Sequence, residues 1–204
     1  MKKMKRQALV LLTTMAVVLV VGSGVALAAT SAIHCPNDTS SGSPSSLLFC
    51  YGTSAADTMY GSDLADFMFS KGGNDTMHGY GGSDRLQADK GSDNVYGDDG
   101  DDAFLWGGAY VGSTNYYPDT SDDYVHGGSG NDYLVGGYAQ SGVDRIYGEG
   151  GNDTIDAAQR KNPDPAAFQV TKEIIDCGAG ASDVVYFDKG LDVVSNCEIK
   201  HAYS

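Results

Sequence analysis

Along this chain an acidic residue is followed two places later by an apolar one, with a nearly constant period. The pairs are Asp57/Met59, Asp66/Met68, Asp75/Met77, Asp84/Leu86, Asp93/Val95, Asp102/Phe104, Asp123/Val125, Asp132/Leu134, Asp144/Ile146, Asp153/Ile155, Glu173/Ile175, Asp183/Val185 and Asp192/Val194. Successive apolar members lie 9, 9, 9, 9, 9, 21, 9, 12, 9, 20, 10 and 9 residues apart. A unit of nine therefore keeps its phase across insertions after Phe104 and Ile155 and shorter ones before Asp144 and Asp183, which is the mark of a repeat architecture. Each unit divides into a six-residue turn and a three-residue strand x-U-x. The central side chain U points inward, because side chains alternate along a strand.

Two units, Gly127-Gly128-Ser129-Gly130-Asn131-Asp132-Tyr133-Leu134-Val135 and Gly148-Glu149-Gly150-Gly151-Asn152-Asp153-Thr154-Ile155-Asp156, show the pattern G-G-x-G-x-D-x-U-x outright or with one substitution. In this the chain resembles the haemolysin-type, or RTX, calcium-binding repeat family. The resemblance implies an all-β fold, a right-handed parallel β-roll (β-solenoid) of Gly/Asp-rich nonapeptides, with several Ca²⁺ ions as cofactors. It extends over residues 52–195, with insertions near 106–118 and 157–172 outside it. Two units make one coil, so units 18 residues apart stack. Asp75 is then expected over Asp57 and under Asp93, and Asp84 between Asp66 and Asp102.

Adjacent coils are about 4.8 Å apart, and carboxylates at that separation repel. Ca²⁺ resolves the repulsion, since it accepts six to eight oxygens from carboxylates and carbonyls in tolerant geometry, whereas Mg²⁺ demands a tighter octahedron. There is no His/Cys cluster at ligand spacing, which argues against zinc and copper. The expected metal ligands are Asp75, Asp84, Asp93, Asp102, Asp123, Asp132, Asp144, Asp153, Asp183 and Asp192. Asp57 and Asp66 are weaker candidates, because Ala55 and Leu64 stand where the turn wants glycine; the alternative is that both are turn or capping residues. The insertion-flanked Asp123 and Glu173 are open to the same alternative. One apolar side chain per nine ordered residues makes a thin core, so folding coupled to calcium is expected.

The first 29 residues have a basic head (Lys2, Lys3, Lys5, Arg6), an apolar run from Ala8 to Val21 and a small-residue end at Ala28-Ala29, the layout of a secretory signal peptide. An uncleaved anchor is the alternative. Cleavage takes four cations and no acids from a chain of net charge −14, leaving about −18. Nucleic acid is excluded as a partner on that ground, since binding it relies on Lys and Arg. Residues 30–51 read as an N-terminal cap segment, 52–195 as the roll and 196–204 as a tail, with no membrane span after the leader. Four cysteines in an exported chain read as two disulfides. The stacking sets Cys177 and Cys197 one coil apart, leaving Cys35 with Cys50, and each bridge would seal an end of the solenoid; all three pairings remain formally open.

Of the histidines His34, His78, His126 and His201, two occupy the outward ninth position of a unit, as do Tyr60, Tyr96, Tyr147 and Tyr186. An outward aromatic ladder covering a sheet is the expected outcome; the aromatic insertion Trp106 to Tyr117 is the candidate recognition surface, with local packing of its rings the favoured alternative. No H-E-x-x-H motif or G-x-S-x-G elbow occurs, and little chain remains outside leader and repeats. The expectation is therefore a secreted, non-enzymatic calcium-binding module with a structural or binding role. Its partner would be an extracellular polysaccharide or a cell surface. The alternatives are a Ca²⁺-dependent polysaccharide-modifying enzyme, with Arg85 or Arg145 on an outer sheet, and an adhesin.

Overall fold

The computed structural model describes residues 31–35, 49–106, 121–136, 142–158 and 171–203. The leader, most of the cap segment and most of both insertions, including the candidate recognition surface from Trp106 to Tyr117, lie outside the described residues. Sixteen strands and no helix make up the described chain. The odd-numbered strands are β1 (Ser31–His34), β3 (Asp57–Ser62), β5 (Thr76–Tyr80), β7 (Asn94–Asp99), β9 (Tyr124–Ser129), β11 (Arg145–Gly150), β13 (Ile174–Asp176) and β15 (Val193–Ser195). The even-numbered strands are β2 (Phe49–Tyr51), β4 (Phe67–Phe69), β6 (Arg85–Gln87), β8 (Ala103–Trp106), β10 (Tyr133–Val135), β12 (Thr154–Asp156), β14 (Val184–Asp188) and β16 (Ile199–Tyr203).

Odd strands form one eight-stranded sheet and even strands another, each in chain order along the axis and with every pairing parallel. The chain thus alternates between sheets at every unit and returns to the same sheet one coil later. That is a parallel β-roll, as expected. The inward U residues Met59, Met68, Met77, Leu86, Val95, Val125, Leu134, Ile146, Ile155, Ile175 and Val185 are all fully buried and form one continuous core between the sheets.

Insertions leave the register almost intact. Val95 pairs with Val125 across the first, and Ile146 with Ile175 across the second. The exception is β8, where the ladder slips by one residue, so that Leu105 rather than Phe104 lies opposite Leu134. An extra residue in one strand of a pair is a β-bulge, and here it directly precedes the long insertion. Cys35 is bridged to Cys50 and Cys177 to Cys197, with Cα atoms 5.5 and 5.1 Å apart. The first bridge ties β1 to β2 at the N-terminal end and the second closes the last coils, where the sheets expose unpaired edges. No helix among the described residues is long and apolar enough to cross a membrane.

Candidate metal centre

Each strand is entered through a turn, and the turns fall on two opposite edges of the roll. Turns at 52–57, 70–75 and 88–93 lead into the odd-stranded sheet and define the first edge; turns at 61–66, 79–84, 97–102, 127–132 and 148–153 lead into the even-stranded sheet and define the second. The fourth turn position is left-handed: Gly100 has a φ of 138°. A Cβ there would also stand 1.5 Å from the Gly82 carbonyl oxygen one coil earlier, so glycine is required both for conformation and for the approach of successive coils. The second position is left-handed too, yet carries side chains at Lys71, Tyr80, Asp89, Asp98 and Glu149. Each costs about 1 to 2 kcal/mol relative to an ordinary backbone.

The sixth-position acids stack in two columns, joined by one repeated hydrogen bond. On the first edge the backbone N–H of Asp57 donates to Asp75 Oδ1 at 2.8 Å, Asp75 to Asp93 at 2.7 Å, Asp93 to Asp123 at 2.8 Å and Asp123 to Asp144 at 3.0 Å. Asp144 donates to Glu173 and Glu173 to Asp192. On the second edge Asp66 donates to Asp84 at 2.8 Å, Asp84 to Asp102 at 2.8 Å, Asp102 to Asp132 at 2.9 Å and Asp132 to Asp153 at 2.9 Å. Asp153 donates to Asp183, and Asp183 to Glu198. The stacking expected for Asp57, Asp75 and Asp93 and for Asp66, Asp84 and Asp102 is present. Separations of 18, 30 and 21 residues all close the same step.

Glu198 ends the second column and was not among the expected ligands. The residue two places after it is Lys200, so the acid-then-apolar signal is absent; its place just after Cys197 was the remaining clue. From Asp57 to Asp183 these acids are at most 5 % exposed.

One oxygen of each carboxylate is thus used by the backbone, and the fate of the other divides the acids. At Asp57 the outer oxygen accepts from the Thr53 N–H (2.6 Å) and hydroxyl (2.8 Å), and at Asp66 from the Ser62 N–H (2.7 Å) and hydroxyl (2.9 Å). Both are local turn caps of the kind weighed from the sequence. Asp192 Oδ2 likewise accepts from the Asp188 N–H at 2.7 Å. By contrast, Oδ2 of Asp75, Asp84, Asp102, Asp132, Asp153 and Asp183 is buried without a hydrogen-bond partner. A buried anion lacking a donor is costly, and nearly all buried polar atoms in folded proteins are satisfied.

The protonation behaviour records that cost. Burial, aided by neighbouring carboxylates and opposed by the backbone hydrogen bond, pushes Asp84 and Asp132 up to about 7 and Asp102 and Asp153 up to about 6. Asp75, Asp183 and Asp192 are raised for the same first reason. Ordered rows of unsatisfied carboxylate oxygens beside carbonyl-rich turns suit a hard divalent cation. No group of three or more His, Cys, Asp or Glu able to hold a metal exists among the described residues, so a site here must take backbone carbonyls as well as one or two carboxylates.

Outside the sheets, the ninth-position residues form a ladder on the odd-stranded sheet, stacked face to face from Tyr60 to Tyr147 and tilted at its His34 end. Ring centroids are 5.1 Å apart for His34–Tyr60, 5.9 Å for Tyr60–His78, 4.6 Å for His78–Tyr96, 4.9 Å for Tyr96–His126 and 4.8 Å for His126–Tyr147. Tyr186 and His201 stack at 4.8 Å on the other sheet. All four histidines therefore belong to ladders; His34 and His201 join through the register rather than through a recognisable unit. With ring faces turned on one another, the ladder covers the sheet. His78 and His126 also reach second-position acids, Asp98 at 3.2 Å and Glu149 at 2.7 Å.

Coiled parallel sheets, glycine-led turns and columns of cation-seeking carboxylates define a calcium-binding β-roll. The model of the RTX calcium-binding nonapeptide repeat matches in four copies, at residues 51–86, 78–109, 119–137 and 138–159. The chain belongs to the RTX calcium-binding repeat family. No curated protein and no solved structure matches it.

Proposed function

We propose that this RTX repeat chain is an exported module whose β-roll folds on Ca²⁺ and then acts as a structural or binding element outside the cell, without catalysis of its own. The observation that carries the reading is the row of buried carboxylate oxygens left without donors in the middle coils, at Asp75, Asp84, Asp102, Asp132, Asp153 and Asp183. These residues, with Asp93, Asp123 and Asp144 in the same columns, would hold the ions together with turn carbonyls. Ca²⁺ would supply charge neutralisation between coils, while the protein supplies a rigid, pre-spaced donor array. Asp57, Asp66 and Asp192 would close the ends through local caps.

A thin core and an array of like charges support coupled folding: without a cation the columns oppose the compact state, and with one they hold it. The basic, apolar, then small-residue leader supports export, and calcium outside cells matches the weak affinities that extracellular modules use, on the order of 10⁻⁴ to 10⁻³ M. Circular dichroism during a Ca²⁺ titration from chelated buffer tests the reading. The β signal is expected to rise with calcium, and an identical β signal in excess EGTA would refute coupled folding.

A further inference from the structure

The last half-coil keeps every feature of the repeat except one. Glu198 takes its place in the second acid column by accepting the Asp183 N–H at 3.0 Å, and the His201 ring stacks on Tyr186 at 4.8 Å on the outer face. β16 runs in unbroken parallel register with β14, from Val184 against Ile199 to Asp188 against Tyr203. In that register Lys200 stands against Val185, which is fully buried in the core. With His201 turned outward, Lys200 leaves the strand on the core side, because side chains alternate along a strand. The corresponding inward residues elsewhere in the end coils, Ile33, Cys50 and Val194, are all apolar and packed on the core.

β16 is also the outermost strand of the even-stranded sheet. It is five residues long and exposed throughout, with Ile199 at 43 % and Tyr203 at 41 %. A long, apolar, unpaired edge invites another strand. The strand that matches it lies at the opposite edge of the same sheet: β2, where Phe49 and Tyr51 are more than half exposed. Carried one coil further, the register sets Phe49 of a second copy beside Ile199 and Tyr51 beside His201, so that the Tyr186–His201 stack runs on into the Tyr51–Phe69 stack. On the odd-stranded sheet Ile33 of that copy follows Val194 into the core. Lys200 alone does not fit, since its ammonium would be enclosed beside Cys50, among inward residues that carry no charge.

We propose that Lys200 is the end stop of the roll, a charge at an inward position that keeps the C-terminal edge from accepting the β2 edge of a second copy. At the free end the side chain is exposed and its ammonium stays in water. A docked strand strips that water away and leaves a buried charge unpaired. Because the two ends of the roll differ, such docking is head to tail and does not close, so copy adds upon copy. The stop acts through burial and not through repulsion between copies: the chain has a net charge of −14, and removing a cation raises the repulsion.

The test is sedimentation velocity of the exported chain in saturating Ca²⁺. Lys200→Met keeps the length of the side chain and loses the charge, while Lys200→Arg keeps the charge. Wild type and Lys200→Arg are expected to remain single rolls. Lys200→Met is expected to self-associate more tightly by roughly tenfold or more, and electron micrographs to show rods one roll wide. Lys200→Val, matched to wild type in its circular dichroism, repeats the test if the methionine variant fails to fold. Single rolls from the uncharged variants, or wild-type rods as long as theirs, would overturn the proposal. Side-by-side clumps would overturn it as well, since these need no free β16 edge.

Discussion

Asp84→Asn separates the two jobs of a column carboxylate. Asparagine keeps an Oδ1 able to accept the Asp66 N–H, which donates to Asp84 at 2.8 Å, and keeps the shape of a residue that is 1 % exposed. What it removes is the charge. Burial, with the carboxylates of Asp102, Asp66 and Asp98 adding to it, raises Asp84 to about 7 from 3.8. At about 1.4 kcal/mol per pH unit the buried anion opposes the calcium-free fold at pH 8 by roughly 4 kcal/mol as an upper figure, and screening at the solvent-facing turn brings this nearer 2. The variant should therefore be more stable than wild type in chelator and less stable in calcium, because the oxygen and charge that hold the ion have gone. The assay is β content by circular dichroism at pH 8, in EGTA across a trimethylamine N-oxide series and again in saturating Ca²⁺. A crossing of the two proteins' order between conditions is the expected result. If Asp84→Asn shifts stability in the same direction in both, the carboxylate is a structural hydrogen-bond acceptor and the reasoning fails.

Two further outcomes follow from neighbouring geometry. A Cβ at Gly97 would lie 2.3 Å from Asp102 Oδ2 and 2.4 Å from the Gly127 carbonyl, while one at Gly81 meets nothing nearer than 3.6 Å. Gly97→Ala should cost about 3 kcal/mol through overpacking and weaken calcium binding at least tenfold, and Gly81→Ala should leave melting in Ca²⁺ within about 0.5 kcal/mol; similar melting curves for the two would show that the turns yield freely. The calcium-free roll should also depend on pH in an inverted sense. Folded carboxylates near 6 (Asp102, Asp153) and 7 (Asp84, Asp132) lie above their unfolded value of 3.8. Their contribution is then fully present below about pH 4 and lost as pH rises through 6 to 7. In EGTA the β signal should be larger at pH 5 than at pH 8, and calcium affinity should rise over the same interval as protons leave the ligands; a chelated β signal that grows with pH contradicts both the burial and its sign.

Much of this molecule is legible in one dimension because a solenoid is built from local rules repeated. The nine-residue spacing alone set which residues point inward, from Met59 to Val185, and which acids stack, since a strand alternates sides every residue and two units complete a turn. It also set Cys177 near Cys197. Three things needed the folded chain. Insertions leave the spacing uninformative across 104–125, and only interstrand hydrogen bonding shows that Asp102 still meets Asp132, while the same ladder slips at Leu105.

Glu198 enters a column without its apolar partner because register, and not pattern, places it. The division between capped and orphaned carboxylates depends on whether a hydroxyl such as Thr53 or Ser62 turns back onto the acid four residues later, a matter of side-chain geometry that the repeat does not encode. Spacing and residue type are enough to call for a roll with acids at its turns. Which acid stands against which at the insertions and at the C-terminal end is settled only in the folded chain, because column neighbours lie one coil away, 15 to 30 residues along the chain, and the parallel hydrogen-bond ladder is what brings them together.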